Sequence, residues 1–133
     1  MCNMQTFSNK MVLVLEETPE QLQRLEHHLL GQGHAVLSAL SEEEAIEHLV
    51  SSSVIDLFLI DEQLTGPLTG AALIEACLPL RPRMRVLVMS PWAEKGEEGA
   101  PYPVLPKSVD LDELEGAIQR TLRNPPVQPW LLN

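Results

Sequence analysis

Five short apolar segments alternate along the chain with four stretches of helical or partly helical spacing, and this alternation constrains the fold most. The strongest segment, over 54–60, reads VIDLFLI and ends on Asp61. The first, MVLVL at 11–15, ends on Glu16 and Glu17. Near-continuous aliphatics mark strands buried on both faces, the condition of a parallel sheet whose crossover helices cover both sides. The reading is therefore an α/β protein with five parallel strands.

Local signals place the other elements. Thr18, Pro19 and Gln21 form a helix start, and Leu22, Leu25 and Leu29 share one apolar face before Gly31 and Gly33 stop it. A second strand spans 35–40. Ser41 and Glu44 then make a capping box, with Ala45, Ile46, Leu49 and Val50 as the expected buried stripe of the second helix. A third helix spans about 70–78 and is interrupted at Pro79. The fourth strand, 85–89, ends on Ser90, and a short fifth covers 103–105. Between them, residues 91–103 hold three prolines and two glycines, so helix four is expected to be shortened or degraded. The final helix begins after Asp110, with Glu113 completing its cap, and buries Leu111, Leu114, Ile118 and Leu122.

A chain of 133 residues suits one domain. The expected division is a flexible tail over 1–9, the domain over 10–124, and a C-terminal tail over 125–133 whose Trp130, Leu131 and Leu132 would dock or meet a partner. The apolar run at 11–15 is too short for a signal-peptide core or a membrane span, so the expected setting is the cytoplasm. Cys2 and Cys77 make no disulfide framework and no zinc spacing. Nineteen acidic residues against nine Lys and Arg give a formal net charge of -10, a field that opposes nucleic acid and anionic membranes. Arg81, Arg83 and Arg85 form the only basic cluster and are read as covering the approach to a strand.

In open parallel sheets chemistry collects beyond the carboxyl ends of the strands. Those ends carry Glu16 and Glu17, then Asp61, Ser90 and Lys107. A carboxylate after a strand is usually a solvated turn or a cap, and a serine before proline is usually a turn; the joint placement is more specific. Transfer of a phosphoryl group onto a carboxylate needs such a set: an aspartate nucleophile, a divalent cation held by further carboxylates, a hydroxyl, and an ammonium. Magnesium suits it, since it binds through one or two carboxylates, waters and phosphate. Lys107 would also offset repulsion among three nearby acids.

On these residues, over about 10–124, the sequence resembles the receiver domains of bacterial two-component response regulators. Glu16 and Glu17 match the family's acidic pair, Asp61 in VIDLFLID its phosphoacceptor, Ser90 in VLVMSP its hydroxyl residue, and Lys107 in VLPKS its lysine. Gly70 matches the glycine ahead of helix three. The resemblance implies a doubly wound, flavodoxin-like sheet of order 2-1-3-4-5. It implies Asp61, Lys107 and Ser90 as catalytic residues and a magnesium site of Glu16, Glu17, Asp61 and the backbone carbonyl of Gln63. It implies phosphotransfer from a histidine kinase or histidine phosphotransfer protein, and a downstream protein partner. Any catalysis would be the chain's own magnesium-dependent phosphorylation and dephosphorylation.

Four departures accompany the match. Both metal-site acids are glutamates, whose extra methylene displaces the carboxylate by on the order of 1 Å and predicts weaker magnesium binding. The loop LTGPLTG is one residue longer than the common pattern, with Leu64-Thr65 in place of the usual pair ending in proline. Ser108 follows Lys107 where the family has a cis proline, which predicts a trans bond and a moved lysine. The segment from Ser90 to Lys107 is short, with Val104 at the usual aromatic switch and Tyr102 two positions earlier, assigned to the surface. A remodelled output face is expected.

Two functions follow. One is a working receiver phosphorylated on Asp61. The other is a phosphorylation-independent pseudo-receiver that binds a partner through the same scaffold. A small hydrolase lacks a substrate-enclosing domain, and a dinucleotide-binding fragment lacks a GxGxxG after strand one.

Overall fold

The computed structural model describes residues 7–52, 54–66, 69–91 and 102–124. In chain order these form β1 (Met11–Leu15), α1 (Pro19–Gly31), β2 (Ala35–Ala39), α2 (Glu42–Ser51), β3 (Leu57–Asp61), α3 (Gly70–Cys77), β4 (Arg85–Ser90), β5 (Val104–Pro106) and α4 (Leu111–Arg123). A single turn of 3-10 helix, Leu78–Leu80, continues α3 through Pro79. The expected short helix of the fourth crossover lies outside the described residues, as do Trp92 and the Trp130–Leu132 segment.

All strand pairs are parallel, in the order β2-β1-β3-β4-β5. Alternate residues of each central strand enter different cores, because strand side chains point to opposite faces. Leu13, Leu15, Phe58 and Ile60 pack with Ala45 and Leu49 of α2 and Leu73 and Ile74 of α3. Val12, Val14, Leu57 and Leu59 pack with Leu22, Leu25 and Leu29 of α1 and Leu114, Ile118 and Leu122 of α4. With both faces covered, no polar alternation can survive in β1 and β3, which accounts for their aliphatic runs.

The helix ends follow the capping chemistry with small differences. Ser41 Oγ accepts from the Glu44 amide at 3.2 Å, while Glu44 Oε1 reaches back to the amide of Leu40 at 2.6 Å, one residue before the cap. Asp110 Oδ1 accepts from the Glu113 amide at 2.8 Å. Thr18 caps α1 in extended conformation, but its side chain makes no capping bond.

The α2 stripe is narrower than its sequence suggests. Ala45 and Leu49 are buried, but Ile46 is 38% and Val50 68% exposed. The helix turns Glu42, Ala45 and Leu49 inward, and it lies over the edge strand β2, which leaves its flank uncovered. Val54 and Leu80 are likewise exposed, and β3 begins at Leu57 rather than at 54.

The arginine cluster is structural. Arg81 donates from Nε to the Leu49 carbonyl at 2.8 Å and from Nη2 to the Ser52 carbonyl, closing the C-terminus of α2. Arg85 Nε donates to the Asn124 carbonyl at 3.1 Å and so closes α4. Cations at helix C-termini meet carbonyls that lack intrahelical partners. At the chain's start Phe7 is clamped by Gln119, which accepts from its amide at 2.7 Å and donates to its carbonyl at 2.9 Å. Among the described residues no helix is long and apolar enough to cross a membrane.

Candidate functional site

The ends of β1, β3, β4 and β5 bring Glu16, Asp61, Ser90 and Lys107 to one edge of the sheet. Backbone bonds carry the ladder past the strands: the Glu16 amide donates to the Ala39 carbonyl at 3.1 Å, and the Lys107 amide to the Ser90 carbonyl at 3.0 Å. Val14 and Glu16, Leu59 and Asp61, and Leu105 and Lys107 are each two residues apart. The three charged side chains therefore continue one face of the sheet.

They meet there. Lys107 Nζ donates to Asp61 Oδ2 at 2.8 Å and lies 3.1 Å from Glu16 Oε1. Glu16, Asp61 and Ser90 are buried, and the lysine side chain is 24% exposed. Burial acts to lower the Lys107 pKa, but its contacts with Asp61 and Glu16 outweigh it and hold the ammonium above its ordinary value. The Lys107–Ser108 peptide is trans, as Ser108 predicts. The lysine nonetheless reaches the aspartate.

The remaining lone pairs divide unequally. Asp61 Oδ1 accepts from the Gln63 amide at 3.0 Å, a local turn that orients the carboxylate. Glu16 Oε2 accepts from the Thr18 amide at 3.1 Å. Glu16 Oε1 is buried and pairs with the Lys107 ammonium at 3.1 Å.

Glu17 does not join them. Its Oε1 accepts from the Thr65 amide at 2.9 Å and its Oε2 from the Thr65 hydroxyl at 3.1 Å. No group of three or more His, Cys, Asp or Glu able to hold a metal is present among the described residues. Of the expected set of Glu16, Glu17, Asp61 and the Gln63 carbonyl, the structure brings Glu16 and Asp61 together on Lys107, while Glu17 is engaged by Thr65. Glu16 and Asp61 alone still fit magnesium, which needs only one or two carboxylates, and both pair with the Lys107 ammonium.

Two glycines shape the loop. A Cβ on Gly66 would lie 1.3 Å from Glu42 Oε1, so the buried Glu42 packs directly on its backbone. A Cβ on Gly70 would come within 3.2 Å of Glu62 Cα, where α3 starts beside the residue after Asp61. The tie between Thr65 and Glu17 and the packing of Glu42 on Gly66 were not anticipated from sequence; the extra loop residue was the available signal. Tyr102, assigned to the surface, is half-buried and packs with Val104 against the core on the α2 and α3 side, because β5 runs along β4 there.

No protein-family model and no curated protein matches the sequence. Solved structures do match. A response regulator receiver domain protein (CheY-like) from Methanospirillum hungatei JF-1 superposes with a TM-score of 0.74 at 24% identity, covering 86% of this chain and 94% of that one. The chain has the receiver fold. A response regulator receiver protein from Sinorhizobium medicae WSM419 gives 0.72 at 24% identity, covering 85% and 94%. The receiver domain of the hybrid histidine kinase CckA gives 0.69 at 24% identity, covering 85% and 99%.

Proposed function

We propose that the chain is a phosphoacceptor receiver of two-component signalling, with Asp61 as the phosphorylated residue. The observation that carries this reading is the contact of Lys107 with both Asp61 and Glu16 at the carboxyl end of the receiver-fold sheet. A carboxylate oxygen of Asp61 attacks the phosphorus of a phosphohistidine on a histidine kinase or histidine phosphotransfer protein. The new P–O bond replaces the P–N bond, and the donor histidine leaves as a neutral imidazole after taking up a proton. Glu16 and Asp61 would hold magnesium, which neutralises phosphoryl oxygens during such a transfer. Lys107 pairs with the carboxylate before transfer and with a phosphoryl oxygen after it. Ser90, buried at the end of β4, supplies a hydroxyl to another. The added charge then alters the surface read by a downstream protein partner. The setting proposed is the bacterial cytoplasm.

The test is intact mass after incubation with acetyl phosphate, with and without magnesium, on the parent and Asp61→Ala. A magnesium-dependent gain of one phosphoryl group, absent from the variant, is the expected result. No gain, with an active receiver labelled in parallel, would favour the second reading, a phosphorylation-independent binding module. The observation favouring that reading is the engagement of both Glu17 oxygens by Thr65, outside the acidic site.

A further inference from the structure

We infer that Thr65 is a latch that sets the chain's affinity for a divalent cation by holding Glu17 out of the acidic site. The inference rests on the receiver reading above and concerns how its cation site is completed.

Three observations carry it. Glu16 and Asp61 are buried together at the site, where Lys107 Nζ lies 3.1 Å from Glu16 Oε1 and 2.8 Å from Asp61 Oδ2, so two carboxylates share one ammonium. Glu17 is the adjacent residue, yet both its oxygens are taken by the amide and hydroxyl of Thr65, 48 positions along the chain. The loop that presents Thr65 is anchored on its far side, where Glu42 packs on Gly66. Thr65 is therefore held at a defined place against Glu17.

A cation drawn to Glu16 and Asp61 gains a third carboxylate only if Glu17 rotates away from Thr65, because magnesium binds oxygens at about 2.1 Å. Both Thr65 bonds must break for this. The cation affinity is lowered by the free energy of the latch, and cation binding in turn releases the loop; the coupling is reciprocal. Metal occupancy at Asp61 is thereby transmitted to the β3–α3 loop through Glu17.

Calorimetric titration with magnesium of the parent, Thr65→Ala, Glu17→Ala and the double variant tests this. Removing the Thr65 hydroxyl deletes one of the two bonds and should tighten magnesium roughly three- to tenfold, the range for one net hydrogen bond. The same change should have no effect in the Glu17→Ala background. In the parent, magnesium should also accelerate hydrogen exchange of the Thr65 amide, a readout independent of phosphorylation. Equal affinities for parent and Thr65→Ala, or a tightening that persists without Glu17, would overturn the latch while leaving the receiver reading intact. No binding by any of the four would overturn both the latch and the magnesium site.

Discussion

Lys107 and Asp61 meet at 2.8 Å although their strands are not neighbours: β4 lies between β3 and β5. The ammonium crosses the end of β4 to reach the carboxylate, and Glu16 from β1 approaches it within 3.1 Å. One cation thus gathers two buried acids from separate strands.

Lys107→Ala should destabilise the fold by about 1–3 kcal/mol near neutral pH, because it leaves Glu16 and Asp61 buried without their counter-charge. Asp61→Asn should recover part of the loss. The lysine pKa is raised in the folded state, so its contribution is fully present below the ordinary lysine pKa and disappears as pH rises through the folded value. Urea melts of parent and variant should keep a constant difference up to the ordinary lysine pKa and draw together only above it.

His34 should make the fold sensitive to mild acid. It is buried with neither ring nitrogen hydrogen-bonded, and burial lowers its pKa more than Glu115, 3.9 Å away, raises it. Below the ordinary histidine pKa the unfolded chain binds a proton that the folded chain resists, so stability falls as pH drops through that value toward the folded pKa. Urea melts at pH 7.5 and pH 5 should differ less in His34→Phe than in the parent.

Gly66→Ala should cost at most about 1 kcal/mol, since the new methyl falls on the end of the Glu42 side chain, which can rotate aside. Combined with Glu42→Ala, the loss should be smaller than the sum of the two single losses. A double-mutant cycle by thermal melting measures this coupling.

Arg81→Ala should lower stability by about 1–3 kcal/mol through loss of its two bonds to the α2 carbonyls. Arg83→Ala, by comparison, should be near neutral, since Arg83 is exposed. Parallel melts of the two variants separate helix closure from charge.

The α/β alternation and the placing of Asp61 and Lys107 at strand ends were legible in the residues, and the strand order came through the resemblance to receivers. Their signals are local: two-sided aliphatic runs in β1 and β3, capping pairs at Ser41 and Asp110, and polar residues where apolar runs stop. Neighbours along the chain carry this information, since caps and periodicity act over a few residues. The exposure of Ile46 and Val50 was not legible, because it depends on how far α2 extends past an edge strand. The direction of Glu17 escaped for a related reason. Glu16 and Glu17 are the same residue type side by side, and the resemblance to receivers assigns both to the metal. Only the folded loop brings Thr65 to the second. What the sequence alone determined was which residues stand at the strand ends. The tertiary structure decided which of them face each other, because side-chain direction and long-range partners exist only once the sheet and its loops are in place.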